Sequence, residues 1–276
     1  MFYVRYLLLP TTLLASGAIL FALRVGLAPS LGVERASTWA FALAILSGCT
    51  WVLLFEWLYP AAGVVRKRPT ARLAADIAFS TLSAGSLIIA HSYLATIPDS
   101  GLLGPLSAAL RLWERPFALQ LVVTFVVSEL ILYAWHRAEH QSGSALLWSF
   151  HAFHHRAPEL ASATGGRASP VDLLMAGLSI FAVRAIGIDP DVALICLWYS
   201  SMLGSLHHSD LDIRLGWFNW VIPGPQQHHI HHSVDPARGR NDATNFPALD
   251  LLFGTAVPLI EVGSEPLGVE GDSERF

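Results

Sequence analysis

The sequence predicts an all-α integral membrane protein with about four transmembrane helices and one helical hairpin that dips into the membrane. Of the 276 residues, 53% are hydrophobic and only 14% are charged, which is more apolar than an ordinary soluble domain. Four stretches are long and apolar enough to cross a bilayer, which takes about 20 residues; they lie near residues 6–28, 38–59, 73–97 and 117–135. Eleven of the 12 histidines follow the fourth stretch. The chain is therefore a membrane-embedded frame followed by a histidine-rich region.

The other apolar segments complete the membrane region. The first stretch begins MFYVRYLLLP, but no small-residue cleavage site follows it, so a retained helix is expected rather than a signal peptide. Two shorter apolar runs, residues 171–188 and 191–206, are at the lower edge of spanning length. Asp189 and Pro190 join them, which favours a hairpin that enters the bilayer and returns.

The basic residues predict the orientation of the chain. The loop AAGVVRKRPTARLA, between the second and third stretches, carries four basic residues and no acid, so it is expected in the cytoplasm. Counting crossings from this loop places residues 136–170 and 207–276 on the cytoplasmic side. The short loops favour a bacterial cell membrane, with the endoplasmic reticulum as the alternative.

The charge balance excludes a surface that binds nucleic acid. The formal net charge is -4, and the last 16 residues hold five acids and one arginine, so residues 1–260 carry as many bases as acids. A neutral body does not attract a phosphate backbone. We expect one domain over residues 1–260 and an acidic, disordered tail over residues 261–276. The two cysteines, Cys49 and Cys196, lie in apolar runs and are expected to be buried thiols.

The histidines form four clusters, which read HRAEH, HAFHH, LHHSD and HHIHH. Residues three and four positions apart share a helix face, so three clusters each direct two or three imidazoles to one point; these are His136 with His140, His151 with His154 and His155, and His228 with His231 and His232. Imidazole binds iron, zinc, copper and nickel, and the supply exceeds the ligands of a single zinc ion. Two metal ions fit the number. The remaining histidine, His91, is expected to be a core residue hydrogen-bonded to a neighbouring helix.

The segments that carry these clusters resemble the fatty acid hydroxylase/sterol desaturase superfamily of membrane-bound non-haem di-iron enzymes. SELILYAWHRAEH is similar to the family's span that ends in an acidic residue, a tyrosine and the first histidine box. LLWSFHAFHH is similar to its second box, and HHIHHSVDP with NDATNFPALDLLFGT is similar to its closing segment. The matching region covers residues 117–257. Two positions depart from the pattern, because Pro247 replaces a glycine and Leu203 replaces an additional histidine.

The resemblance implies a cytosolic cap in which histidines alone hold two iron ions, with no catalytic residue apart from the metal ligands. The implied ligands are His136, His140, His151, His154, His155, His228, His231 and His232, together with one or both of His207 and His208. His229 occupies a non-ligand position. The implied supporting residues are Glu129, Tyr133 and Asp250. Further carboxylates near the clusters, each most often a solvated group or a helix cap, are Glu139, Glu159, Asp172, Asp210, Asp212, Asp235 and Asp242.

The implied reaction uses dioxygen to hydroxylate or desaturate a hydrophobic lipid, either a fatty acyl chain or a sterol-like molecule. The chain has no nucleotide-binding glycine fingerprint and no cysteine set for an iron–sulfur cluster. The electrons are therefore expected from a separate donor, a ferredoxin or a cytochrome b5-like protein with its reductase.

Two other functions fit clustered histidines in a membrane protein. A metal transporter is expected to carry ionisable ligands near the middle of its spans, whereas here only Asp76, His91, Glu129 and Arg184 lie in apolar segments. A zinc-dependent hydrolase needs its acid next to the first histidine, as in HExxH, whereas HRAEH places it next to the second. Both patterns favour the oxygenase.

Overall fold

The computed structural model describes residues 1–98, 102–235 and 240–269, and the regular structure in these ranges is helical. The helices are α1 (Leu8–Leu31, preceded by a π-helical turn at Tyr3–Leu7), α2 (Val33–Leu58), α3 (Val64–Lys67), α4 (Thr70–Leu94), α5 (Gly104–Leu110), α6 (Phe117–Gln141), α7 (Ala145–His155), α8 (Pro170–Ala185), α9 (Pro190–His207), α10 (Pro225–His231) and α11 (Ala248–Phe253). Short 3-10 turns lie at Leu112–Glu114, Ser162–Gly166 and Gly216–Trp220. The all-α prediction is confirmed.

Four of these helices are long and apolar enough to cross a membrane, as the sequence predicts. They are Tyr3–Leu31, Val33–Leu58, Thr70–Leu94 and Phe117–Gln141. Helix α6 runs six residues beyond the predicted end of its apolar stretch, because the residues after Trp135 are good helix formers that continue the same face. His136 and His140 therefore belong to the membrane-spanning helix itself.

Helices α8 and α9 form the predicted hairpin, and α9 lies at the centre of the bundle. Ser169 caps α8, and Asp189 caps α9; each is followed by a proline in the first turn, where its missing N–H costs nothing. The inner faces of the hairpin pack with α2 in one apolar core that contains Phe41, Ile45, Ile180, Val183, Leu194 and Leu197. Helix α9 is thus surrounded by the spanning helices, whereas α8 keeps one exposed face.

Two buried arginines fix helix ends within the bundle. The Arg184 side chain is fully buried and donates to the backbone carbonyls of Leu94, Ile97 and Ile188, so it ties the end of α4 to the hairpin. Arg68 forms a 2.8 Å ion pair with Asp76, and both side chains are buried.

The segment that joins α7 to α8 contains the 3-10 turn Ser162–Gly166, and this turn packs against the spanning helix α4. Ser80 and Ser83 of α4 donate to the carbonyls of Ala163 and Gly166 at 2.8 and 2.7 Å. A Cβ atom on Gly166 would lie 2.3 Å from the Cα of Ser80, so only glycine permits this approach.

Three expectations from the sequence differ from the structure or extend beyond it. The Nδ1 atom of His91 is buried with no hydrogen-bond partner among the described residues, and the expected bond from this ring to a neighbouring helix stays a prediction. Residues 212–222 mix polar and aromatic residues in a way that is typical of an interfacial helix. They contain only the one-turn helix Gly216–Trp220, because Gly216 adopts a positive φ of 57°. Residues 261–269 run back along the histidine region, where Gly268 N–H donates to the His232 carbonyl at 3.1 Å. The domain limit at residue 260 and the disordered tail stay predictions, and residues 270–276 lie outside the described ranges.

Replacing Gly166 by alanine is expected to destabilise the protein, because the added methyl group meets backbone rather than a movable side chain. Overpacking of this kind costs about 1–3 kcal/mol. The measurement is the thermal unfolding midpoint in detergent, with Gly177→Ala as the control, since a Cβ atom there meets nothing within 4 Å. Equal midpoints for the two variants would contradict the tight contact.

Candidate metal centre

Nine histidines converge in two neighbouring groups. The first group contains His136 and His140 from α6, His151 and His155 from α7, and His231 from α10, and their ligand atoms lie within 4.8 Å of one another. Neighbouring Nε2 atoms are 3.0 Å apart between His136 and His151, and 3.1 Å apart both between His151 and His155 and between His155 and His231.

The second group consists of four histidines, His154, His208, His228 and His232. The Nε2 atom of His208 lies 3.1 Å from that of His154 and 3.0 Å from that of His228. The Nε2 atoms of His228 and His232 are also 3.0 Å apart.

Two short helices supply both groups at once. Helix α7 places His151 and His155, four positions apart, in the first group, and His154 in the second. At α10, His231 belongs to the first group, and His228 and His232 belong to the second. Spacings of three and four residues keep these rings on one side of each helix. The two groups are therefore adjacent, and the His155 and His232 rings stack with their centroids 4.2 Å apart.

Backbone carbonyls fix the orientation of four of the rings. The Nδ1 atoms of His136, His154, His208 and His231 lie 2.6, 3.1, 2.7 and 3.1 Å from the carbonyl oxygens of Asp242, Arg167, Gly204 and Arg240 respectively. A carbonyl oxygen can only accept, so each Nδ1 carries the proton and donates. The Nε2 atom of each ring is left with a lone pair that points into its group.

This arrangement fits a bound transition metal. His154 and His208 both carry the proton on Nδ1, so their Nε2 atoms, 3.1 Å apart, face each other with lone pairs and repel unless a cation lies between them. Imidazole nitrogens about 2.1 Å from one metal are about 3.0 Å apart at right angles and about 3.4 Å apart in a tetrahedron. The observed separations of 3.0–3.1 Å match ligands at right angles, a geometry that is typical of a five- or six-coordinate ion. In addition, the Nε2 atom of His140 is buried without a hydrogen-bond partner among the described residues.

Burial keeps these imidazoles neutral. Loss of hydration lowers the pKa of His154 to about 4, and it lowers the pKa of His151, His155 and His231 well below the usual value, with neighbouring rings adding to the effect. The same holds for the pKa of the second-group rings His208, His228 and His232. Neutral imidazole is the form that binds a metal, so the groups are ready to bind at pH 7.

Two of the neighbouring histidines lie outside both groups. The ring of His207 stacks on that of His228, with centroids 4.0 Å apart and planes at 17°, so its edge does not enter the second group. His229 donates from Nε2 to the Ser209 carbonyl at 3.2 Å. The sequence left His207 and His208 as alternatives, and the structure places His208 with the second group.

Glu129 supports the site through a loop and not by contact with the rings. Its carboxylate accepts from the backbone N–H groups of Thr244 and Asn245 at 2.9 Å each, and from the Asn245 side chain at 2.7 Å. Glu129 shares a helix face with His136 and His140, and its role as a supporting residue stays a prediction. Tyr133 shares a 2.8 Å hydrogen bond with Thr255, whose hydroxyl donates to Asp250 at 2.6 Å.

The loop that Glu129 and Asp250 hold in place contains two of the residues whose backbone carbonyls accept from the histidine rings, Arg240 and Asp242. Asp250 accepts from the N–H of Ala243 at 3.2 Å, and the Asp242 carboxylate accepts from Gln141 at 2.5 Å. Burial, together with the nearby Asp250 charge, raises the pKa of Asp242 to about 7. Sequence reasoning missed the carbonyls of Arg167, Gly204, Arg240 and Asp242, since a backbone acceptor leaves no mark in the amino-acid type.

A cavity of about 310 Å³ extends from the histidines into the bundle. Its upper wall includes His136, His151, His154, His208 and His228, and its middle is lined mainly by serine, alanine and glycine from α4, α8 and α9. Its far end is formed by Ile45, Leu87, Ile180 and Leu197, which belong to the apolar core. From Ser205 to Leu197 the cavity follows about 12 Å of helix α9.

Comparison with known proteins identifies the family. The fatty acid hydroxylase model matches residues 121–255, the region that contains every histidine of the two groups. Over 242 residues the chain is 30% identical to the ornithine lipid hydroxylase of Rhizobium tropici, covering 84% of this chain and 71% of that protein. The chain belongs to the fatty acid hydroxylase family.

More distant relatives share the same region. The chain is 24% identical to the alkylglycerol monooxygenase of Xenopus tropicalis over 82% of its own length and 48% of that protein. It is 26% identical to a very-long-chain aldehyde decarbonylase of Oryza sativa over 53% of its length and 25% of that protein. No solved structure matches the chain. The family confirms a lipid-modifying oxidoreductase, and the four apolar helices make it a multi-pass membrane protein.

The metal-free protein is expected to lose stability as the pH falls from about 6.5 toward 4. Unfolded histidines take up protons near pH 6.5, whereas His154 stays neutral until its lowered pKa of about 4. The unfolded state therefore binds more protons in this window, and each such histidine costs up to about 1.4 kcal/mol per pH unit.

The measurement is the thermal unfolding midpoint of chelator-treated protein in detergent across this pH range. The variant His154→Gln removes one titrating ring and is expected to show a shallower dependence. A midpoint that does not change between pH 6.5 and 4 would contradict the buried, neutral state of the rings.

Proposed function

We propose that the protein is a di-iron, dioxygen-dependent oxidoreductase that hydroxylates or desaturates a long-chain lipid. The observation that carries this proposal is the pair of all-imidazole groups at the head of a cavity whose far end is apolar. The names of the relatives, a hydroxylase and a monooxygenase, favour hydroxylation.

The two groups would hold one iron ion each. His136, His140, His151, His155 and His231 are the proposed ligands of one ion, and His154, His208, His228 and His232 are the proposed ligands of the other. When bound, the pair of irons supplies the activation of dioxygen and the oxidation of an unactivated C–H bond. Neutral imidazoles leave both ions positive, so water or hydroxide is expected to complete their coordination.

The chain's own residues bind and orient the substrate. Small side chains, such as Ala176 and Gly204, leave room along α8 and α9 for a lipid chain below the histidines. The apolar end of the cavity at Ile180 and Leu197 holds the hydrocarbon chain of the lipid. The carbonyls that accept from the histidine rings keep the ligand atoms in place during the reaction.

The contacts of the basic loop favour a cytoplasmic position for the histidine centre. Asp210, two residues after His208, accepts from the backbone N–H groups of Ala62 and Val64 at 2.7 Å each. The loop that contains Arg66 and Lys67 is therefore at the same end of the bundle as the histidines. The positive-inside rule places such a loop in the cytoplasm, and a bacterial cell membrane remains our preferred location.

The substrate and the electron donor are proposed only as classes of molecule. The relatives are named for an ornithine lipid, alkylglycerol and a very-long-chain aldehyde, so a lipid with a polar head and a long chain is the proposed substrate. The electrons are proposed to come from a separate ferredoxin or cytochrome b5-like protein.

The contacts of the intramembrane acids argue against a metal transporter. Asp76 forms an ion pair with Arg68, and Glu129 accepts from backbone and amide N–H groups. Both carboxylates are therefore engaged in structure and are not placed as a path for ions through the spans.

Metal analysis tests the ligand assignment. The protein purified without a histidine tag is expected to hold about two iron ions per chain, and His231→Ala and His228→Ala are each expected to lower the content to about half or less. The control is His229→Ala, which removes a neighbouring ring that bonds to a carbonyl. One zinc ion per chain, or equal loss in all three variants, would contradict the assignment.

Filling the cavity tests the substrate path. Ala176→Phe is expected to abolish oxygen-dependent lipid oxidation without loss of iron, because the ring occupies the space below the histidines. Leu174→Phe places the same ring on the exposed face of α8 and serves as the control. The readout is the gain of one oxygen atom, by mass spectrometry, in lipids incubated with protein, reductant and air; full activity of Ala176→Phe would reject this path.

A further inference from the structure

Two carboxyl groups lie in the wall of the cavity beside the first histidine group. Glu139, at the end of α6, and Asp172, in the first turn of α8, both line the cavity. Their oxygens and the Nδ1 atom of His151 lie within 4.8 Å of one another. These are the acidic side chains of the cavity lining, which is otherwise apolar or lined by hydroxyl, thiol and imidazole groups.

The two carboxyl groups differ in the hydrogen-bond donors that the protein supplies to them. Asp172 caps α8, accepting from the N–H and hydroxyl of Ser169 at 3.1 and 2.9 Å, and it receives the Trp135 indole N–H at 3.4 Å. The Glu139 side chain is only 1% exposed, and its Oε1 atom has no hydrogen-bond partner among the described residues. No ion pair with lysine or arginine is found for either group in the part of the chain that the structure describes.

Orientation of a metal ligand does not account for this pair. The distances from His151 Nδ1 to Glu139 and Asp172 are 3.5 and 4.0 Å, which exceed a normal hydrogen bond. The four rings that are held by a partner at Nδ1 use backbone carbonyls at 2.6–3.1 Å. His151 is not one of these four rings, and its Nδ1 atom is buried with no hydrogen-bond partner among the described residues, so neither carboxyl group holds the ring in this structure.

A cationic ligand group would satisfy the pair. A buried carboxylate is costly unless a cation or several donors accompany it. Without a ligand, Glu139 and Asp172 are close enough to share a proton in a hydrogen bond between their side chains. Both groups face the cavity, so a cationic group that enters it can take the place of that proton. An ammonium group carries a positive charge and up to three N–H donors, which matches two adjacent carboxyl groups with an open acceptor on Glu139.

We propose that Glu139 and Asp172 bind a protonated amine in the polar head of the lipid substrate. The amine lies beside His151, and the hydrocarbon chain extends toward Ile180 and Leu197 at the apolar end of the cavity. Since Ile180 is eight residues along α8 from Asp172, about 12 Å separates the two ends. The carbons nearest the metal groups are then those close to the head and not those at the end of the chain.

This inference rests on the proposed function for the identity of the substrate, but its test does not require iron or dioxygen. Binding of dodecylamine and of dodecanol to the full chain in one detergent is measured by calorimetry at neutral pH. The two probes share a chain length and differ in the charged donor group. The wild-type protein is expected to bind the amine at least about tenfold more tightly, as for a charge-assisted hydrogen bond that is shielded from water.

Isosteric variants assign the preference to the carboxyl pair. Glu139→Gln and Asp172→Asn are each expected to reduce the affinity for dodecylamine about tenfold and to leave dodecanol unchanged. Asp172→Asn keeps an oxygen that caps α8, so it remains informative if Glu139→Gln fails to fold. The control is Glu34→Gln, an exposed glutamate in the first turn of α2.

The outcomes separate this inference from the proposed function. Equal affinity for the two probes, or an amine preference that survives both variants, overturns the head-group site whether or not the protein holds iron. An amine preference that the variants remove supports the site, even in a protein that proves to hold no iron; that result would overturn the di-iron proposal alone.

Discussion

The donation of histidine ring N–H groups to backbone carbonyls is the interaction on which the centre depends. Four such bonds, at 2.6–3.1 Å, set the tautomer of four rings and turn their free nitrogens inward. The Nε2 atoms of His154 and His208 then lie 3.1 Å apart with lone pairs facing one another, and the other inward nitrogens lie 3.0–3.1 Å from a neighbour. A cation between facing lone pairs removes their repulsion, so the fold of the protein and its capacity for metal are parts of one arrangement.

The membrane frame supplies the carbonyls in fixed positions. Arg167 follows a turn that glycine allows to pack against α4, and Gly204 belongs to the central hairpin. The carbonyls of Arg240 and Asp242 lie on a loop that Glu129 and Asp250 hold in place. Removing an anchor of this loop is thus expected to disturb the rings even though it touches none of them. The cavity extends below the same rings, so the frame positions both metal ligands and substrate.

The sequence was sufficient to predict the features of the fold that depend on hydrophobic periodicity and residue spacing. The four spans, the hairpin and the clustering of His136, His151 and His231 follow from apolar length and from helical spacing. The division of the rings into groups of five and four did not follow, because it depends on how α7 and α10 cross in space. Helical periodicity puts Glu129 on the same face of α6 as His136 and His140, but its carboxylate accepts from the N–H groups of Thr244 and Asn245, in the loop that follows α10. His207 and His208 are adjacent in sequence, and only the direction of the end of α9 decides which one joins the second group.

The most direct test of the two-group centre is anomalous X-ray diffraction at the iron absorption edge from crystals of iron-loaded protein. The account predicts two anomalous peaks, one among the five rings that include His140 and one among the four rings that include His208. A single peak, or a peak held by Glu139 and Asp172 instead of by the rings, would contradict it.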